Sequence, residues 1–143
     1  MAFRSATFVL CLLLAPRLSI AGETLDAAAM DEMHKHFSEA YNRGDLNTMA
    51  ATFAENAVRI TPSGIFQGRD AIRQSFSDAL KLGLHDYSVH RTLSRPEGTF
   101  VFNAGTWEAK VGDRPFHGYY SSILTSENGQ LKIIEETVAV AAP

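Results

Sequence analysis

The chain has 143 residues and 15.7 kDa, is 45% hydrophobic, 20% charged and 10% aromatic, and carries a formal charge of −3. That is the size of one globular domain, and it is too apolar for a disordered chain. Acids and bases are interspersed without a basic stripe, which argues against nucleic-acid binding. A single cysteine excludes a disulfide framework and a thiolate metal cluster.

Residues 1–21 read as a secretion signal rather than as part of the fold. Arg4 gives a positive start, Ala6 to Ala15 form an apolar run, Pro16 breaks it, and Ser19-Ile20-Ala21 puts small residues where a signal peptidase reads. Cleavage is predicted between Ala21 and Gly22. The run is about ten residues, against the ~20 needed to span a bilayer. Cleavage would remove Arg4, Arg17 and Cys11, taking the formal charge from −3 to −5. Residues 22–143 are then expected as a cysteine-free periplasmic or secreted domain, free of the membrane.

From Leu25 the apolar residues Leu25, Ala29, Met33, Phe37 and Tyr41 recur at helical spacing, which predicts an amphipathic helix over about 24–43. Gly44 ends it and Asp45 caps a second helix reaching about Asn56. A strand over Ala57–Thr61, a turn at Pro62-Ser63-Gly64 and a brief return at Ile65–Gln67 follow. Gly68-Arg69-Asp70 opens a third helix with a stripe of Ile72, Phe76 and Leu80, closed by Gly83. Beyond Gly83 the period becomes two. Strands are predicted over His85–Ser94, Thr99–Val111, Pro115–Thr125 and Gln130–Val140, with Gly-containing turns between them. Helices first and an antiparallel meander after make an α+β domain with helices on one sheet face.

Three stretches, Tyr41-Asn42-Arg43-Gly44-Asp45-Leu46, Phe53-Ala54-Glu55-Asn56-Ala57-Val58 and Gly68-Arg69-Asp70-Ala71-Ile72-Arg73, resemble the nuclear transport factor 2-like superfamily. The resemblance is closest to its SnoaL-like (polyketide cyclase-like) domains and covers about residues 25–140. It implies a cone, in which a curved antiparallel sheet wraps over three N-terminal helices around an apolar pocket. A homodimer through the open sheet face is the expectation for such a fold. The chain is also distantly similar to ketosteroid isomerase, which works with an aspartate base and two oxyanion donors, a tyrosine and a protonated aspartic acid. By that similarity the tyrosine falls at Phe37, the base at Thr61 before Pro62, and the second donor at or beside Ser121. None of the three groups is retained. Losing one oxyanion donor costs ~10²–10³ in rate and losing the base ~10²–10⁴, so that isomerase chemistry is not expected.

The similarity also implies which side chains face the pocket. Met33 and Tyr41 flank Phe37 on its helix, Arg59 lies two residues before Thr61, and His117 and Tyr119 share the face of Ser121. On Thr99–Val111, alternation leaves open whether Asn103, Gly105 and Trp107 or Phe102, Ala104 and Thr106 point inward. His117 and Tyr119 are candidates for proton transfer, with Glu135 or Glu136 as the carboxylate. The turn at Asn128-Gly129 decides between those two: a two-residue turn puts Glu136 opposite Ser121, and a three-residue turn with a bulge puts Glu135 there. An inward Arg59 demands an anionic partner, and Trp107 serves either as a flat wall for a ring or as core. His34 and His36 face apart, and His85 and His90 fall on opposite strand faces, so no metal site is expected. No cofactor is expected either. The sequence reads as a domain binding a small apolar molecule; the alternative is a cofactor-independent isomerase, cyclase or dehydratase using His117, Tyr119 and a glutamate.

Overall fold

A computed structural model describes residues 26–142; the predicted signal segment lies outside them. Helix α1 (Ala27–Arg43) starts at Asp26, whose carboxylate accepts from the Ala28 amide. It ends at Gly44, where φ of 69° turns the chain and the Asp45 amide bonds the Ala40 carbonyl. The Asp45 carboxylate then caps α2 (Leu46–Ala51), accepting from the amide and hydroxyl of Thr48 at 3.0 and 2.7 Å. The cap is the one predicted, but α2 stops at Ala51. Strand β1 (Phe53–Thr61) begins four residues before the predicted Ala57. Tertiary pairing decides this, because Phe53 lies opposite Ile133 and the Ile133 amide donates to the Thr52 carbonyl at 3.0 Å.

After β2 (Gly64–Gln67) and α3 (Arg69–Lys81), the chain runs through β3 (Leu84–Glu97), β4 (Phe100–Val111), β5 (Arg114–Glu127) and β6 (Gln130–Val140). Together they form one curved, unclosed six-stranded sheet in the order β2-β1-β6-β5-β4-β3. The meander β3 to β6 is antiparallel as expected, while β1 joins β6 in parallel. Bulges on β3, after His85 and after Arg91, interrupt its pairing with β4 and let the strand bend.

The helices cover one sheet face. Phe37, Ala40 and Tyr41 of α1, Met49 of α2 and Ile72 and Phe76 of α3 pack onto Phe53, Ala57, Leu124 and Ile133. On β4 the buried set is Val101, Asn103, Gly105, Trp107 and Ala109, which resolves the open alternation in favour of the Trp107 face. On β5 it is Gly118, Tyr120, Ser122 and Leu124.

Two of these inward positions are glycines for a steric reason. Gly105 pairs with Tyr120, and Gly118 with Trp107, across β4 and β5. A Cβ at Gly118 would lie 2.6 Å from Trp107 Nε1 and clash with the Ala139 carbonyl, which accepts the indole hydrogen bond. Each ring therefore lies over the bare backbone of its neighbour. Gly118→Ala is expected to displace the indole and cost about 2 kcal/mol or more. As Trp107 is the single tryptophan, a lowered melting temperature with red-shifted emission checks this.

Candidate functional site

Between α1, α3 and the sheet lies a cavity of about 510 Å³, within the range of small-molecule sites. Its walls are aromatic: Phe37 and Tyr41 from α1, Phe66 from β2, Phe76 from α3, Tyr87 from β3 and Trp107 from β4. Tyr41 stacks on Tyr87 with ring centroids 4.4 Å apart, and Tyr87 lies nearly parallel to Trp107 at 6.5 Å. Asn42 fixes Tyr87 by accepting from its amide at 2.7 Å and donating to its carbonyl at 2.9 Å. Exposed Leu82 and Val140 and the Pro62-Ser63 turn belong to the rim.

A buried charged pair interrupts this wall, alongside the polar residues Thr61, Ser63, Ser75 and Asp78. Arg59 and Glu136 face each other across the parallel β1–β6 pair. Arg59 Nε donates to Glu136 Oε2 at 2.7 Å, with the side chains only 13% and 12% exposed. Arg59 Nη1 donates to Ser75 Oγ at 3.1 Å, and Ser75 in turn donates to the Ile72 carbonyl. The guanidinium lies 4.3 Å from the centre of the Phe76 ring, a cation–π contact. Nη2 donates no hydrogen bond among the described residues. Burial is the main cause that raises the Tyr41 and Tyr87 hydroxyls above the ordinary phenol range; for Tyr87 the Glu136 charge adds to it. Both are donors at neutral pH.

Five of the predicted pocket residues line this cavity: Phe37, Tyr41, Arg59, Thr61 and Trp107. The anionic partner demanded by Arg59 is Glu136. Met33 lies off the cavity, at a small inner chamber and at a groove beside α2. His117, Tyr119 and Ser121 correct the prediction. They share a face, but it is the outer one, since Gly118, Tyr120 and Ser122 are buried while His117 is exposed and Tyr119 is 59% exposed. A one-residue shift in assumed register inverts a whole strand, and Ser122, beside Ser121, is the inward residue.

Glu135 is exposed and Glu136 buried, through a route neither alternative described. The turn has two residues, with Glu127 opposite Gln130, but the pairing then slips by one between Ile123 and Leu124. Ser122 thus meets Glu136, and Ser121 meets Thr137. His117 and Tyr119 are therefore on the opposite sheet face from Glu136 and cannot share a reacting atom with it. Tyr87, Ser75 and Phe66 were missed as site residues. Tyr87 follows Asp86, whose φ of 52° breaks the strand alternation that would have placed it.

The family assignment rests on the matched segment together with this architecture. The model of the SnoaL-like domain matches residues 34–135. The chain belongs to the SnoaL-like domain family. No curated protein sequence matches it. Among solved structures, this SnoaL-like chain is similar to an NTF2-like protein of unknown function from Shewanella oneidensis, with 16% identity, TM-score 0.70, and 78% of this chain and 97% of that one covered. It is similar to a ketosteroid isomerase-like protein from Erwinia carotovora, with 15% identity, TM-score 0.71, and 84% and 99% covered. It is also similar to a putative calcium/calmodulin-dependent protein kinase II association domain from Xanthomonas campestris, with 18% identity, TM-score 0.66, and 80% and 84% covered. These are likenesses of fold.

The helical histidines behave as their spacing predicts: His36 is exposed and pairs with Glu32 at 2.9 Å, while His34 is buried edge-on against Tyr120. Burial, with help from the Arg91 charge, lowers the His34 pKa to about 4. The neutral imidazole is thus the folded form. The unfolded chain binds this proton near pH 6.5 and the folded one near 4, so stability falls as pH drops through that window. The expected loss is about 2–3 kcal/mol between pH 7.5 and 4.5. Urea unfolding across that range should show it, and His34→Gln should flatten the slope.

Proposed function

We propose that this SnoaL-like domain binds a compact, largely apolar, ring-shaped molecule in the aromatic cavity and does no chemistry on it. The observation that carries this reading is a cavity of about 510 Å³ whose buried charged pair, Arg59 with Glu136, is already satisfied within the wall, the exposed Asp78 at its edge being held by Lys81. A neutral pair recruits no charged ligand, while Arg59 Nη2 is left to donate to a single acceptor atom. The stacked Tyr41–Tyr87 pair and Trp107 favour a flat ligand. The enzymatic alternative loses its proton-transfer pair, because His117 and Tyr119 are on the outer face. The apolar run after Arg4 supports a periplasmic or secreted address. Tyr119, Phe100 and Leu93, exposed on the meander, support a homodimer through the open face.

Titration with 1-naphthol, a neutral fused ring with a hydroxyl, tests the reading through Trp107 emission. Quenching is expected for the natural chain and for His117→Ala. It should vanish in Ala79→Phe, because Ala79 of α3 lines the cavity and a ring there fills it. It should weaken about tenfold in the double variant Arg59→Met/Glu136→Leu, which removes the donor without burying a lone carboxylate, near the ~1.4 kcal/mol of one hydrogen bond. Unchanged binding by a folded Ala79→Phe protein would refute the reading. Native mass spectrometry of protein purified from its own compartment would report the retained molecule and the subunit count together.

A further inference from the structure

Beside the cavity lies a second chamber of about 10 Å³, with His34, Tyr87, Tyr120, Ser122, Ile133 and Glu136 in its lining. That space matches a single water. The Tyr120 hydroxyl and Ser122 Oγ are buried with no hydrogen-bond partner among the described residues. Their residues are only 7% and 3% exposed. An orphaned buried hydroxyl is costly, and native proteins rarely keep two side by side. Glu136 lines the chamber and the larger cavity alike, and Arg59 bonds only its Oε2.

We infer that this chamber is a one-water site, in which a buried water accepts from the Tyr120 and Ser122 hydroxyls and donates to the Glu136 carboxylate. Three partners are the usual number for such a water. The protonation states suit these roles. Burial and the Glu136 charge keep Tyr120 a protonated donor, and burial keeps His34 neutral at pH 7. Arg91 and Asp31, the other charges acting on this corner, form an ion pair with each other at 2.7 Å. The water makes Tyr120 and Ser122 positioning residues for Glu136, which in turn holds Arg59. This inference stands whether or not the larger cavity binds a ligand.

The sign of a stability change tests it. If the water is present, Tyr120→Phe and Ser122→Ala each remove one of its partners, and the melting temperature falls by a few degrees. If the chamber is dry, each change relieves an uncompensated hydroxyl, and the melting temperature rises. Oxygen-17 magnetic relaxation dispersion supplies a second readout, because it counts long-lived internal waters. Ser122→Val fills the chamber and is expected to lower the dispersion amplitude by one water. A rise in melting temperature for the two hydroxyl-removing variants, or equal amplitude in Ser122→Val and the natural chain, overturns the inference.

Discussion

The Arg59–Glu136 pair is the constraint around which the rest is arranged. Both groups are almost fully withdrawn from water, and leaving either unpaired would cost ~3–5 kcal/mol. They meet only if β1 lies parallel to β6 in one register, with Val58 opposite Glu135, Arg59 opposite Glu136 and Ile60 opposite Thr137. That register fastens the N-terminal hairpin to the end of the meander. The slip in β6 between Ile133 and Glu135 is part of the same solution, because it turns Glu136 inward three residues after Ile133.

The aromatic wall depends on a second set of fixed distances. Asn42 holds Tyr87 by both backbone groups, so the asparagine in the last turn of α1 places a cavity ring forty-five residues away in sequence. Gly118 leaves room for Trp107, and Gly105 for Tyr120, on neighbouring strands. Rings held flat by backbone hydrogen bonds and bare glycines keep a cavity open. The same rings on free rotamers would collapse into it.

Much of this was legible in the residues. Helix caps at Asp45 and Gly44, the stripes of α1 and α3, and the turns of the meander are local signals, and local hydrogen bonding realises them. Phe37, Tyr41, Arg59 and Thr61 were readable as cavity residues because their positions follow from a helix period or a strand step near a well-matched motif, whereas alternation on β4 left the direction of Trp107 open. His117, Tyr119 and Ser121 were not, because strand parity there hangs on a register counted across a gap in similarity. The start of β1 was hidden too. Phe53 fits a helix stripe as well as a strand, and only its partner on β6 decides.

By itself, the sequence determined the order of the elements, the α+β architecture and the need for an anion beside Arg59, because periodicity, capping and the cost of burying a charge all act within reach of a few residues. Tertiary structure alone chose Glu136 over Glu135, set Trp107 inward and His117 outward, and closed the chamber between Tyr120 and Ser122. The reason is that a strand's two faces differ by a single residue of register. A bulge supplies that residue only when distant strands pair.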